Sequence, residues 1–395
     1  MNAILVINSG SSSIKLQLIK MPGETVVASG LIERIGQESS ALHLTTKKGK
    51  ISEEISIPDH EAGLTEFTKL LMDKENGVIK DASEIIAVGH RVVHGGIKFT
   101  DTTVVDEEVK QAIRDLFDLA PLHNPPNLKG IEVAEKIFPN AKQVAVFDTA
   151  FHQTIPTKAK RYAIPDEFSD EHQLQVFGFH GISHKYVSQK TFEFLKKPKG
   201  KIITVHLGNG CSITAVKDGK SFDHSLGFAP VNGLIMGTRS GDIDHSVILY
   251  MIDKLGYTTE EVNEILHKKS GMQGLTGFSD LRDIEAEAEK GNEKCQLALE
   301  MNAYRIKKYI GAYIAAMNGV DAIVFTAGIG ENSDVLRELV CRDMEYLGIE
   351  LEGYKNDIRS KEPRVISKEG ARVSVLVIPT NEELEIAKET AELVL

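Results

Sequence analysis

The chain has 395 residues, more than one hydrophobic core usually organises, so two domains are expected. Hydrophobic residues at 42% and charged residues at 26% exclude a disordered or fibrous chain. Lys+Arg 46 against Asp+Glu 57 leaves a net charge of −11, so neither nucleic acid nor an anionic membrane surface is expected as a partner.

The first ten residues, Met-Asn-Ala-Ile-Leu-Val-Ile-Asn-Ser-Gly, lack a basic start and turn polar after a short apolar run. They read as a buried strand over 3–7 entering a loop, not as a signal peptide. Leu64, Phe67, Leu70 and Leu71 form a helical stripe, a strand is expected over 85–88, and Val109, Ile113, Leu116 and Phe117 form a second stripe behind an N-cap at Asp106. After a strand over 143–147, residues 151–179 have weak periodicity and two prolines, which places a domain junction near residue 151. Further strands are expected over 202–205, 322–325 and 373–378. A long helix is expected over 291–317 with a stop at Asn318–Gly319, and Ser333 caps a helix carrying Val335, Leu336, Leu339 and Val340. Buried strands alternating with amphipathic helices predict an α/β protein.

The three cysteines, Cys211, Cys295 and Cys341, have no CxxC or His/Cys ligand spacing, which argues for free thiols in a reducing cytosol. No apolar run reaches the roughly 18 residues of a membrane span. The basic clusters Lys196–Lys197–Lys199–Lys201 and Lys268–Lys269 read as solvated surface.

The chain also repeats itself. Ile4-Leu-Val-Ile-Asn-Ser-Gly10 followed by Ser-Ser-Ser-Ile-Lys-Leu resembles Ile202-Ile-Thr-Val-His-Leu-Gly208 followed by Asn-Gly-Cys-Ser-Ile-Thr. A strand–turn–strand occurring once per half predicts duplicated domains facing a cleft. At both turns glycine can adopt φ > 0 and, lacking a Cβ, bring backbone N–H groups close to a phosphate. A third loop, Thr326-Ala-Gly-Ile-Gly-Glu-Asn332, sits between a strand and a helix, the usual nucleotide-side arrangement. Asn332 stands where a Rossmann fingerprint has its last glycine. Gly219-Lys220-Ser221 ends like a Walker A motif, but Thr214 occupies its first glycine position, and Asp218–Gly219 reads as a hairpin turn. Three glycine loops without a P-loop point to the two-lobed ATPases of the actin, sugar-kinase and heat-shock class.

Within that class the sequence closely resembles the acetate kinase family. Asn8-Ser-Gly-Ser-Ser-Ser-Ile-Lys15 and His206-Leu-Gly-Asn-Gly-Cys-Ser-Ile-Thr214 match its two signature segments. The resemblance extends through Gly89-His-Arg-Val-Val-His-Gly-Gly96, Phe177-Gly-Phe-His-Gly-Ile-Ser-His184, Met236-Gly-Thr-Arg-Ser-Gly-Asp242 and Pro379-Thr-Asn-Glu-Glu383. It implies two duplicated actin-like, ribonuclease H-like domains: an acetate-side lobe over 1–150, joined by a C-terminal helix over 383–395, and a nucleotide-binding lobe over 151–382. It also implies a homodimer formed through the C-terminal half, and the reaction ATP + acetate ⇌ ADP + acetyl phosphate with Mg²⁺, or Mn²⁺ in its place.

The chemistry asks for cations, because a carboxylate that is already ionised must approach a polyanionic γ-phosphate in line. Arg91 and Arg239 suit this demand through their guanidinium forks. By resemblance Arg91 binds the carboxyl or transferring group, Arg239 stabilises the transition state, and His180 and His123 donate to phosphoryl or substrate oxygens. The spacings His90/His94 and His180/His184 lack the Glu of a zinc HExxH motif. Asp148 ends a strand and either orients acetate or holds Mg²⁺ through water. The resemblance also implies Asn8 and Glu382 as the metal-side residues. Val93, Leu122, Phe179 and Pro230 are the candidates for the methyl pocket. For the nucleotide the resemblance implies Lys15, His206, Leu207, Gly208, Asn209, Gly210, Asp280, Leu281, Arg282, Gly328, Ile329, Gly330, Glu331 and Asn332. Propionate kinase is the alternative within the class, and a non-acyl actin-like ATPase is the alternative outside it.

Overall fold

The computed structural model describes residues 2–395. The chain divides into two units, one of residues up to Phe151 together with Asn381–Leu395, the other His152–Thr380.

In the first unit an eight-stranded sheet has the order β5-β4-β3-β2-β1-β6-β8-β7. Its strands are β1 Ala3–Ser9, β2 Ser13–Lys20, β3 Thr25–Glu33, β4 Ser40–Thr46, β5 Gly49–Ile55, β6 Ile85–Val92, β7 Thr103–Val104 and β8 Lys142–Phe147. β1 pairs antiparallel with β2 and parallel with β6, and β6 pairs parallel with β8. A central strand covered on both faces carries an unbroken apolar run, as β1 does from Ala3 to Ile7. Ala3, Leu5 and Ile7 share one core with Leu64, Phe67 and Leu71 of the helix His60–Leu71 and with Val133 and Ala134 of the helix Asn124–Ile137. Ile4 and Val6, also fully buried, point to the opposite face. There the helix Glu382–Val394 packs on β1, β6 and β8. Gly89 permits that packing, since a Cβ on it would lie 2.4 Å from Thr390 Oγ1 and 2.8 Å from Ile386 Cγ2.

In the second unit a six-stranded sheet has the order β11-β10-β9-β12-β14-β13. Its strands are β9 Lys201–Leu207, β10 Cys211–Lys217, β11 Lys220–His224, β12 Ala322–Thr326, β13 Arg364–Val365 and β14 Ser374–Val377. Strand for strand the directions repeat those of the first sheet. β9 is antiparallel to β10 and parallel to β12, β12 is parallel to β14, and a short antiparallel strand closes the edge in each case. This is the duplicated actin-like ATPase fold.

Several elements follow the sequence closely. Asp106 caps Glu107–Asp115, Ser333 caps Asp334–Cys341, and Asn318 ends Glu293–Met317 in the left-handed conformation. Asp218 and Gly219 both take positive φ in the β10–β11 turn, as a two-residue hairpin demands. Three expectations are corrected. Leu116 and Phe117 lie beyond the end of Glu107–Asp115, because the helix stops at Leu116 as its C-cap. The segment 326–332 is not an open loop: Ala327–Asn332 is a short helix, entered through Ala327 at φ 65°. Finally, Gly10, Gly208, Gly210, Gly328 and Gly330 do not take left-handed φ. Their value lies in the missing side chain and not in backbone freedom.

Candidate active site

The first unit gathers an arginine and three acids at the ends of its central strands. Arg91 lies near the end of β6 and Asp148 directly follows β8, its parallel neighbour, so both side chains emerge at one sheet edge. Arg91 Nε and Nη2 both donate to Asp148 Oδ2, at 3.1 and 2.6 Å. Asp148 is 1% exposed, yet its Oδ1 has no hydrogen-bond partner. A buried carboxylate oxygen without a donor is costly, which marks this one as held for a ligand. Burial opposes the charge on Arg91, but Asp148, then Glu382 and Glu383, outweigh it and raise its pKa further. Glu382 is pushed the other way. Burial raises its pKa first, Asp148 and Glu383 add to that, and Arg91 and Lys15 offset only part.

Lys15 of β2 forms an ion pair with Glu383 and lies opposite Asn8 of β1. Lys15 therefore has an acidic partner in its own unit, where the sequence assigned it to the nucleotide. Val93 is buried, its N–H donating to Asn127 Oδ1 at 3.0 Å. His123 immediately precedes the helix Asn124–Ile137 and its N–H donates to Ala120 O at 3.0 Å. Leu122 departs from the expected apolar pocket, being 63% exposed in the turn before that helix. Among the described residues no group of three or more His, Cys, Asp or Glu is placed to hold a metal alone. The orphaned Asp148 Oδ1, Glu382 and Asn8 nevertheless suit Mg²⁺, which takes one or two carboxylates and leaves its other positions to water and phosphate.

The second unit gathers donors around the β9–β10 turn. His180 is held at φ 56°, a strained conformation for a residue with a side chain. Two buried imidazoles fix the residue before it. His152 Nε2 donates to Phe179 O at 2.9 Å, so its Nδ1 accepts from Ser221 Oγ at 2.8 Å. The Phe179 N–H donates to His224 Nε2 at 3.1 Å, so the His224 proton sits on Nδ1 and goes to Thr214 Oγ1 at 2.7 Å. Burial above all drives the pKa of His152 down to about 3 and that of His224 well below the ordinary range, which keeps both rings neutral. Gly178 is obligatory here: it has φ 76°, and a Cβ would lie 2.6 Å from His152 Cγ.

The His180 ring stacks on His206 with centroids 4.4 Å apart. A Cβ on Gly210 would lie 3.4 Å from His180 Nε2 and 3.8 Å from Arg239 Nη1, so glycine leaves an open floor where the two donors converge. Arg239 is partly buried and donates to Pro230 O at 2.7 Å. Its partners are Pro230 O and Met236 Sδ, with no carboxylate among the described residues, and burial lowers its pKa from the ordinary value. A desolvated guanidinium left without an acid suits an anionic ligand.

Beside the same turn lies a cavity of about 820 Å³. Gly208 and Asn209 from the β9–β10 turn line it, with Asp280, Leu281 and Arg282 at the start of the helix Leu281–Glu289 and Gly328, Ile329 and Asn332 from the short helix after β12. Eight of the residues assigned to the nucleotide thus share one cavity, together with Ser279, Glu285, Ser333 and Arg359, which were not anticipated. Leu207 and Gly330 are buried and do not line it. Glu331 accepts from the Thr380 N–H at 3.1 Å, and His206 Nδ1 bonds to Ser183 Oγ at 2.8 Å.

Residues 3–388 match the family model of the Acetokinase family. The chain belongs to the acetokinase family. It is 61% identical over 390 residues to an acetate kinase of Flavobacterium johnsoniae, with 99% of each chain covered. The crystal structure of Porphyromonas gingivalis acetate kinase superposes with a TM-score of 0.95 at 46% identity and complete coverage of both chains. A propionate kinase from Francisella tularensis superposes with a TM-score of 0.93 at 40% identity, covering 99% of this chain and 100% of the other. As an acetokinase, the chain is a phosphotransferase with a carboxyl group as acceptor.

Two supports of this acetokinase site were assigned no role from the sequence, although Asp242 ends one of the matching segments. Asp242 Oδ1 accepts from the Gly233 N–H and Oδ2 from the Tyr309 hydroxyl, both at 2.7 Å, which closes the loop carrying Arg239. Arg337 is 1% exposed and donates to Gly330 O, Asn356 Oδ1 and Asn356 O at 2.7–2.9 Å. It ties the glycine-rich turn after β12 to the layer behind it.

Proposed function

We propose that this acetokinase transfers the γ-phosphoryl group of ATP to acetate, directly and reversibly, giving acetyl phosphate and ADP. One observation carries the reading: Arg239, without an acidic partner, converges with His180 on the open face of Gly210. That arrangement supplies one cation and one imidazole donor for the oxygens of a phosphoryl group in flight, where charge develops and fixed donors act most strongly.

Acetate is ionised at neutral pH and needs no base. The first unit contributes Arg91, whose fork is shared between Asp148 and the incoming carboxylate, and His123 as a further donor. Val93 of the first unit and Phe179 of the second, both buried, are with Pro230 the residues that would bound the methyl group. The adenine nucleotide occupies the cavity at Gly208, Asp280 and Gly328. Asn8, Asp148 and Glu382 are the residues that would hold Mg²⁺, which when bound neutralises charge on the phosphate oxygens.

A second copy of the chain covers the helix His245–Asp253, none of whose residues is buried. Val247, Leu249 and Tyr250 stand 43%, 56% and 58% exposed on it, an apolar face suited to a homodimer. The free buried thiols of Cys211, Cys295 and Cys341 accord with a cytoplasmic enzyme, and no helix among the described residues is long and apolar enough to cross a membrane.

The test is ATP- and Mg²⁺-dependent formation of acetyl phosphate, trapped by hydroxylamine as the hydroxamate. ATP hydrolysis with no trapped acyl group would overturn the proposal. One methylene is worth only about 1–3 kcal/mol in an apolar pocket, so propionate should react more slowly and not be excluded. A preference for propionate in the same assay would reassign the substrate and leave the chemistry intact.

A further inference from the structure

Behind His180 lies a chain of side chains whose protons can be placed. Ser212, on β10, has its Oγ 2.9 Å from His180 Nδ1 and 2.7 Å from His184 Nε2. His184 Nδ1 lies 2.7 Å from Thr204 Oγ1, on β9. Thr204, His184 and Ser212 are all 0% exposed. Burial, reinforced by His152 and His206, drives the His184 pKa well below the ordinary range, so its ring is neutral and carries one proton.

Among the described residues the Thr204 hydroxyl bonds only to His184. Sending its proton to His184 Nδ1 gives that buried hydroxyl an acceptor, where the reverse direction would strand it as the Thr214 hydroxyl beside His224 is stranded. The His184 proton then sits on Nε2 and is donated to Ser212 Oγ. Ser212 bonds only to the two histidines, so its own proton has one acceptor left, His180 Nδ1. With Nδ1 accepting, the His180 proton lies on Nε2, the nitrogen that borders the Gly210 floor. Protonating His180 would set two N–H groups against one serine oxygen and leave the serine proton without an acceptor. Arg239, across Gly210, also resists a positive charge on His180.

We infer that Ser212 is a positioning residue that holds His180 as the neutral Nε2–H tautomer, so that it donates to the phosphoryl oxygens throughout the neutral pH range. This rests on the proposed role of His180 as a phosphoryl donor. A ring nitrogen's state is set by the bond the other nitrogen makes, and here Thr204 sets the direction through His184 and Ser212.

The tautomer is read directly by NMR of the ¹⁵N-histidine-labelled wild-type enzyme, with His180 assigned from the spectrum of His180→Gln. A protonated Nε2 and a bare Nδ1 are expected. A proton on Nδ1 would overturn the inference, and this measurement decides even if variants of the buried Ser212 do not fold. In Ser212→Ala, which frees Nδ1 of its hydroxyl donor, the ring should take up a second proton at a higher pH than in the wild type. Its kcat should be lower by about 10²-fold, the typical cost of one oxyanion donor, with KM for ATP and acetate nearly unchanged. Because the Nδ1–H tautomer cannot donate at Nε2, the variant's kcat should fall further as pH rises and the ring loses that second proton, where the wild type is flat. Ser212→Thr, which keeps the hydroxyl, should restore the flat profile. Wild-type kcat and pH profile in a folded Ser212→Ala would refute the role. Full activity in His180→Gln would instead remove His180 from the site, a failure of the functional proposal that the tautomer measurement tells apart.

Discussion

The pair Arg91–Asp148 allows the structural and chemical roles of one arginine to be separated. Asp148 is 1% exposed and receives both of its donated bonds from Arg91, on Oδ2 alone. In Arg91→Leu that carboxylate keeps its burial and loses its counter-charge. Removing one partner of a buried pair typically costs about 3–5 kcal/mol. For a unit of this size that is a fall in melting midpoint of about 6–20 °C. Adding Asp148→Asn removes the uncompensated charge, so the double variant should regain at least about 2 kcal/mol over Arg91→Leu. The assay is urea or thermal unfolding of the wild type, both single variants and the double variant, beside hydroxamate trapping. All three variants should be inactive, because both side chains are placed in the reaction. If the double variant is no more stable than Arg91→Leu, the buried carboxylate does not bear the cost and the reasoning fails.

Other perturbations address the scaffold. His90 is 1% exposed, and burial lowers its pKa to about 4 despite its bond to Gln143. The folded state therefore binds fewer protons than the unfolded chain between pH 6.5 and about 4, and stability should be lost as pH falls through that window, by about 3 kcal/mol for this residue. Urea midpoints of wild type and His90→Asn from pH 7 to 4 check this; equal slopes would refute it. Arg337→Met removes three buried donated bonds and should lower stability by about 3 kcal/mol while raising KM for ATP more than KM for acetate, read from steady-state kinetics. Gly89→Ala drives a methyl into Thr390 and Ile386 and should cost about 1–3 kcal/mol, seen as increased amide exchange over the helix Glu382–Val394.

The interior strands were legible because strands buried on both faces leave unbroken apolar runs, as at Ile4–Val6 and Ile323–Phe325. β3, β4 and β5 were not. β5 reads Gly-Lys-Ile-Ser-Glu-Glu-Ile with no buried residue, so solvent and not sequence pattern sets its appearance. The helices between Asp242 and Glu289 were missed for a related reason, since His245–Asp253 buries nothing within its unit. At the site, Arg91, His180 and Arg239 stood out because they sit in glycine-rich segments with little apolar surface to cover, and Asp148 because it ends an apolar strand. The scaffold behind them did not, because Thr204, Ser212, Thr214, Ser221 and His224 look like ordinary polar strand residues. The signal was there in the alternation: Thr204 with His206, and Ser212 with Thr214, fall on inward positions of strands otherwise made of Ile, Val and Ala. Repeated small hydroxyl residues facing the same way as buried histidines are a mark of a polar layer inside a core.

The first unit is discontinuous, its last segment being Asn381–Leu395, while the second is a single stretch, His152–Thr380. During synthesis the sheet face bearing Ile4 and Val6 therefore waits for a helix that emerges after the whole of the second unit. The half translated later is the first able to complete its fold, and the earlier half must be guarded from aggregation until the ribosome finishes. That same late segment carries Glu382 and Glu383, so a chain released early lacks both its acidic site residues and the cover of its oldest strands.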